Sequence, residues 1–359
     1  MTSPASSWTD VGDRVRTSRL ASGLTQADLA GRVGLQRSMI SKIEAGEREV
    51  DALELYQLAD ALGVPLAHLI SRPAPSMVSP REALEDTAGD TDRLRYRLDA
   101  LLEEHARRVG WLVEQDALTP PPASQQSAST LEEARRAARS VRAALEVGDA
   151  PLGPMGGVAE QLGLYLTVVD LAVDGASMSV DAWGVAVVGG GSSIEPGRRR
   201  MTAAHELGHH VLGDEYSSDV GVSASRDERE AAIQAFAAEL LLPGTVVAAR
   251  LTPAKDDDTR HAALVALAAE YRVSWAVAVR IAGASGLTAA DIRRLRTQPP
   301  VDADFLRVVG VLPSPDLPLG DTGPEYRRAV LRALDAGRMT SARAHELLYG
   351  VVSLDALES

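Results

Sequence analysis

Residues 201–213 read Met-Thr-Ala-Ala-His-Glu-Leu-Gly-His-His-Val-Leu-Gly. The run holds no proline, and His205 and His209 stand four apart, so on a helix both imidazoles project from one face. Two neutral histidines so placed can hold one Zn²⁺, with Glu206 beside the ion as general base. A base must reach the activated water without itself filling the coordination sphere, and the position next to His205 suits that role. Ala203, Ala204, Leu207, Val211 and Leu212 mark the helix as buried, and a buried helix rarely carries histidines without partners. Gly213 supplies its C-terminal stop. The competing reading, a surface helix with two solvated histidines, is opposed by these apolar flanks.

A catalytic zinc needs a third protein ligand and an open position. The metzincin pattern would place glycine at Leu212 and histidine at Glu215, so that class is excluded. A second helix must deliver the ligand, and residues 226–242, ended by Pro243-Gly244, are the candidate. Glu230, Ile233, Ala237 and Leu241 share one stripe there, with Glu230 the carboxylate at the head of an apolar row. Glu228 and Glu239 compete for the role, and each also reads as a solvated helix position.

The run Arg-Arg-Arg-Met-Thr-Ala-Ala-His-Glu-Leu-Gly-His (198–209), followed by Glu-Arg-Glu-Ala-Ala-Ile-Gln-Ala-Phe-Ala-Ala-Glu-Leu-Leu-Leu-Pro (228–243), resembles the ImmA/IrrE metallopeptidases. The resemblance covers roughly residues 130–285. It implies that the glutamate six residues before the Phe-Ala-Ala motif, Glu230 before Phe236, is the third ligand beside His205 and His209. The family often carries an aromatic residue where this chain has Met201, and Asn or Asp where it has Gln234.

The chain has 359 residues, enough for two or three domains, and a formal charge of −13. Such a balance excludes global attraction to nucleic acid, so any binding of that kind needs a local patch. There is no cysteine, which excludes disulfides and thiolate–zinc sites and fits a reducing cytoplasm. No signal peptide opens the chain and no apolar run approaches about 20 residues, so the expectation is a soluble cytoplasmic protein with no membrane partner.

Residues 1–10 are Ser/Thr/Pro-rich and expected to be disordered. From 11 to 70 the apolar spacing predicts five short helices packed through Val15, Leu20, Leu24, Leu29, Val33, Ile40, Ile43, Leu53, Leu55, Leu58, Leu62 and Leu69. Thr25 caps a helix over 26–33, Gly34 turns the chain, and a second helix over 36–45 ends at Gly46. Two helices joined by a tight Gly-containing turn form a helix-turn-helix, whose second member enters the major groove. Between Gly31 and Lys42 lie Arg32, Arg37 and Lys42 with no acid, although residues 11–72 hold eight charges of each sign. Leu-Thr-Gln-Ala-Asp-Leu-Ala (24–30), Ser-Lys-Ile-Glu-Ala-Gly-Glu (41–47) and Leu-Ala-Asp-Ala-Leu-Gly-Val (58–64) together resemble the XRE (lambda-repressor-like) DNA-binding domain. Carried over, the resemblance implies that Gln26, Gln36, Arg37, Ser38, Ser41 and Lys42 face bases and phosphates of double-stranded operator DNA. Glu44 is expected to fix a helix end. A protein-interaction module is the competing reading, since the domain has no net positive charge.

Residues 71–80 read as a Pro/Ser linker. Residues 81–118 read as a charged helix with Leu94, Leu98, Leu101, His105, Val109 and Leu112 spaced close to a heptad seam. That seam could pair two chains or pack on the peptidase unit, and His105 reads as a tolerated seam residue. Residues 119–129 form a second breaker-rich linker. Thr130 and Glu133 form a capping box for a helix to Val147. Residues 163–169 and 183–188 read as strands, followed by a loop over 189–197. The open edge of 185–188 is a candidate for binding an extended peptide, with a plain core strand as the alternative. Arg198–Arg200 read as a solvated basic face, 256–258 as an acidic loop and 261–282 as helices. Residues 297–323 read as loosely structured, and 325–336 and 340–348 as two helices separated by Gly337.

The expected architecture is therefore mostly α. A five-helix DNA-binding unit (11–72) leads through a helical linker or dimerisation seam (81–118) to an α+β, zincin-like peptidase unit with a small sheet (130–285). A helical extension (286–359) closes the chain. The expected function is a bacterial transcriptional regulator fused to a gluzincin-like endopeptidase with one Zn²⁺ per chain, acting as a homodimer. The resemblance implies a protein substrate, often another helix-turn-helix repressor, cleaved in a stress or mobile-element response. Two rivals stand: a transcription factor whose peptidase-like domain senses a ligand or metal without proteolysis, and the antitoxin-like half of a two-gene module.

Overall fold

The computed structural model describes residues 7–71, 89–122, 126–128, 130–180, 182–191, 196–213, 223–254 and 256–358. Expectations for residues 1–6, for the linker over 72–80, for the helix start over 81–88, and for 123–125, 129 and 192–195 lie outside those residues. Five helices open the chain: α1 (Trp8–Ala21), α2 (Gln26–Val33), α3 (Arg37–Glu44), α4 (Ala52–Leu62) and α5 (Leu66–Ile70). The disorder expected through residue 10 does not hold for residues 7–10, because Ser7 caps α1 by accepting a hydrogen bond from the Asp10 amide. Thr25 and Asp28 cap α2 reciprocally, and Gly34 takes the left-handed turn that leads to α3. Leu29, Ile40, Ile43, Leu58, Leu62 and Leu69 are buried as expected, but Leu53 is 66% exposed. It sits in the first turn of α4, on the side away from the other helices.

α6 (Asp90–Glu114) is the longest helix among the described residues, about 38 Å at 1.5 Å per residue. It ends before the expected Leu118, because Asp116 turns left-handed while Ala117 and Leu118 fold back into the core. One side of α6 belongs to the first five helices. Ala100 sits in their core, and the Tyr96 hydroxyl lies between Ser18 Oγ (3.3 Å) and His68 Nε2 (2.8 Å). The other side packs on the sheet through Leu98, Leu102, Val109 and Leu112. The expected seam is therefore spent within the chain.

After α7 (Leu131–Ala144) and α8 (Met155–Gln161) come β1 (Leu164–Val169), β2 (Gly175–Val180) and β3 (Trp183–Gly189). α7 stops short of Val147 because Glu146 adopts positive φ. The strand order is β1-β3-β2, with β3 parallel to β1 and antiparallel to β2. Residues 185–188 thus lie in the central strand, with Val187 paired to both Thr167 and Ala176, and offer no open edge. That corrects the expectation of a peptide-binding edge there. Sequence reading missed β2, since Gly-Ala-Ser-Met-Ser-Val holds a single β-branched residue, Val180, at its end.

α9 (Pro196–Leu212) and α10 (Ser223–Leu241) follow, then α11 (Gly244–Leu251), α12 (Asp257–Tyr271), α13 (Trp275–Ala284), α14 (Ala289–Thr297), α15 (Asp302–Val309), α16 (Pro324–Asp335), α17 (Ser341–Leu347) and α18 (Leu354–Leu357). One sheet face (Leu164, Leu166, Val168, Ala186, Val188) joins α7 to α13 in one core. The opposite face (Tyr165, Val185, Val187) joins α6, α16 and α17 in a second. Among the described residues no single helix is long and apolar enough to cross a membrane.

Three further expectations are corrected. Arg200 is buried rather than solvated: it pairs with Asp316 and donates to the carbonyls of Gly153 and Leu152 at 3.0 Å each. Asp316, Leu317 and Thr322 are buried, and Thr322 bridges to Thr167 on the outer edge of β1, so 297–323 is held rather than loose. Asp256 is no loop residue but the N-cap of α12. Of the three arginines, Arg198 alone keeps the expected solvated face, paired with exposed Asp174.

His105 is a buried strut rather than a tolerated seam residue. Its Nε2–H donates to the Tyr165 carbonyl (3.0 Å), and the Tyr349 hydroxyl donates to its Nδ1 (2.7 Å), tying α6 to β1 and to the C-terminal helices. The bond to Nδ1 requires the neutral ring, and burial, aided by nearby Arg108, pulls its pKa from 6.5 down to about 3 against the Tyr165 carbonyl, which favours the charged form. The unfolded chain therefore takes up the proton first. This contribution is whole above pH 6.5 and drains away as pH falls toward about 3. The thermal midpoint is expected to drop through that window, and His105→Gln to flatten the pH slope. An unchanged slope in the variant would contradict the assignment.

Candidate functional site

α9 is buried on the face formed by Ala203, Ala204, Leu207 and Val211, as its sequence requires. It meets α10 closely at Gly208, where a Cβ would lie 3.0 Å from Ile233 Cγ2 and 3.1 Å from Phe236 Cδ1. That approach brings the two helices' polar residues to one point. His205 Nε2 stands 3.2 Å from His209 Nε2 and 3.3 Å from Glu230 Oε1. One donor atom from each of the three lies within 4.8 Å of the others. The competing carboxylates are elsewhere. Glu228 is exposed, and Glu239 is buried, where it accepts from Arg139 and from the Gly244 amide.

The donor set fits a zinc ion. Ligand atoms about 2.0–2.1 Å from one tetrahedral Zn²⁺ lie about 3.3–3.4 Å apart, close to the two separations above. Burial pulls the His205 pKa down, against the opposing charge of Glu206, so its ring is neutral and free to ligate at pH 7. The Gln234 amide lies 3.1 Å from its Nδ1; with Nε2 turned to the ligand set Nδ1 carries the proton and donates, so the amide supports the ligating ring with its oxygen turned to Nδ1. His210, the third histidine of the run, turns away and donates through Nε2 to the Leu162 carbonyl at 3.0 Å.

Glu206 is buried, and the Ser177 hydroxyl of β2 donates to its Oε2 at 2.6 Å. Gly175 lets β2 come this close, since a Cβ there would stand 2.7 Å from Thr202 Cγ2. Sequence reasoning missed Ser177 and gave Gln234 no role. Nothing in a Gly/Ser-rich stretch marks one serine as the partner of a distant glutamate.

In the N-terminal unit, Ile40 and Ile43 bury one face of α3, leaving Arg37, Ser38, Ser41 and Lys42 exposed together with Gln36 at its N-cap. Gln26 is half-buried and donates to Glu44 Oε2 at 2.9 Å. Glu44 does more than fix a helix end. It is buried and held by Arg19 through two hydrogen bonds, 2.6 and 3.1 Å, locking α3 to α1. A helix-turn-helix with one polar helix face turned outward is built to enter a duplex groove.

Residues 15–69 match the helix-turn-helix family model, and residues 188–281 match the peptidase M78 model described as an IrrE N-terminal-like domain. The chain belongs to the helix-turn-helix transcriptional regulators and carries an IrrE N-terminal-like domain behind its DNA-binding unit. It is 43% identical over 61 residues to an uncharacterized transcriptional regulator in the ATPase CF(0) region of Rhodospirillum rubrum. Over 61 residues it is also 36% identical to the uncharacterized HTH-type transcriptional regulator y4dJ of Sinorhizobium fredii. Each match takes in 17% of this chain, and they span 56% and 79% of the respective relatives.

The Arg19–Glu44 pair gives a direct test of the α1–α3 lock. Glu44→Ala strands a buried guanidinium, which costs about 3–5 kcal/mol. Arg37→Ala, on the exposed face, is expected to stay within about 0.5 kcal/mol. Denaturant unfolding of the whole chain separates the two, and equal effects would contradict the lock.

Proposed function

We propose that the chain is a transcriptional regulator that binds operator DNA through its N-terminal unit and cleaves a protein partner at a zinc site formed by His205, His209 and Glu230. The reading divides the chain into a DNA-binding unit (11–72), a linking helix (81–118), a peptidase unit (130–285) and a helical extension (286–359). The observation that carries it is the meeting of two imidazole nitrogens and a carboxylate oxygen beside a buried, hydroxyl-bound Glu206.

A bound Zn²⁺ supplies Lewis acidity for a peptide carbonyl and lowers the pKa of a water. The remaining chemistry belongs to the chain. Glu206 accepts the water's proton and passes it to the leaving amine. Ser177 holds the carboxylate through one oxygen and leaves the other for that transfer. Gln234 keeps the His205 ring in register. The outer edge of β2, which carries Ser177 and pairs with no strand among the described residues, is where an extended peptide would add by backbone hydrogen bonds. The partner is a protein of the same regulatory circuit, and a second helix-turn-helix repressor is the substrate class this reading favours.

Elemental analysis tests the metal. Wild type and Glu206→Gln should each hold one Zn²⁺ per chain, whereas His205→Ala, His209→Ala and Glu230→Ala should lose it. Glu228→Ala emptying the site while Glu230→Ala leaves it filled would overturn the ligand set. Glu206→Gln also tests turnover. Losing a general base costs about 10²–10⁴-fold, so a strain carrying it should keep DNA binding while its partner stays uncut and target genes uninduced. Normal induction with an uncut partner would leave the sensor reading in place.

A further inference from the structure

Met201 lies one turn before His205 on α9, and Gln234 lies one turn after Glu230 on α10. About 6 Å of helix therefore separates each from its metal ligand. Arg280 of α13 reaches both. Its Nη1 stands 3.4 Å from the Gln234 side-chain amide, and its Nη2 stands 4.0 Å from Met201 Sδ. α13 buries Val277, Ala278, Val279 and Ile281 and leaves Arg280 exposed at the rim of the site.

Neither contact spends the charge. A thioether is a weak acceptor. With its oxygen turned to His205, Gln234 shows Arg280 its amide nitrogen, donor against donor. Among the described residues no carboxylate pairs with this guanidinium, whereas Arg198 and Arg200 on α9 each hold an aspartate. The chain does not lack acids, with 50 of them against 37 lysines and arginines. Neighbouring groups also shield the guanidinium from water enough to pull its pKa down, and no acid offsets that cost.

A guanidinium takes a carboxylate in a planar fork, so a carboxylate carried by the substrate is the partner this position suits. An extended peptide rises about 3.3 Å per residue. A side chain one or two residues from the scissile bond thus matches the single helical turn between the ligand set and the two residues Arg280 touches. We infer that Arg280 is a specificity-determining residue that holds the carboxylate of an aspartate or glutamate within two residues of the bond to be cut. This rests on the peptidase reading of the site and names a substrate class for it, a peptide segment with an acid beside the cleavage point.

The test measures binding rather than turnover, on the full chain supplied with one equivalent of Zn²⁺ and checked for metal by elemental analysis. The probes are short peptides with blocked ends and a hydroxamate in place of the central peptide bond. Each carries Asp at one of the two nearest positions on either side, and a matched peptide carries Asn there. A last probe keeps Asn throughout and has a free C-terminal carboxylate. Calorimetry on wild type should favour Asp over Asn at one position by about tenfold, as a charge-assisted pair requires. Arg280→Ala should bring the two affinities together, and Arg280→Lys should keep part of the difference. Equal binding of the Asp and Asn peptides by wild type would overturn the inference, as would a preference that survives in Arg280→Ala. A gain for the free terminus alone would overturn it too, since Arg280 would then capture the end of a chain. If wild type holds no Zn²⁺, the peptidase reading itself fails, and this inference with it.

Discussion

The close crossing of α9 and α10 at Gly208 is the contact on which the site depends. A side chain at that position would crowd Ile233 and Phe236, which would have to give by a few tenths of an ångström. Three donor atoms 3.2–3.3 Å apart along the chain of contacts depend on that close approach, because they come from both helices. The apolar residues around Gly208 and the buried Arg200–Asp316 pair serve the same end. They hold α9 at both ends, so that two histidines and a glutamate meet at a point which neither helix could form alone.

α6 imposes the second constraint. It is buried along two sides, by the helix-turn-helix core at Ala100 and by the sheet at Leu102, Val109 and Leu112. His68 Nδ1 meets Glu103 Oε2 at 3.1 Å on one side, and His105 meets Tyr165 and Tyr349 on the other. These two polar contacts lie within a single turn of the helix. The element that carries the DNA-binding unit is thus also the floor of the sheet whose β2 strand orients Glu206.

Much of this was legible because it is local. Helical spacing placed His205 and His209 on one face, an N-cap at Thr25 marked α2, a capping box marked α7, and Gly34 and Gly213 marked helix ends. Glu230 emerged from an apolar stripe together with the resemblance, and the structure sets it beside the histidines. The failures are non-local. Arg200 looked like one of three surface arginines because its partner, Asp316, lies 116 residues away in a Pro/Asp-rich stretch. β2 carries little strand signal of its own, one β-branched residue in six, and forms because β3 offers it an edge. Its Ser177 acquires a role only when the sheet lies over α9, and β3 looked like an edge strand only while β2 was unseen.

Zinc K-edge X-ray absorption on the protein loaded with one equivalent of metal tests the central claim most directly. The account predicts a shell of nitrogen and oxygen ligands at about 2.0–2.1 Å that includes two imidazoles, with one imidazole lost in His209→Ala. A spectrum whose imidazole signature is the same in wild type and in His209→Ala would contradict it.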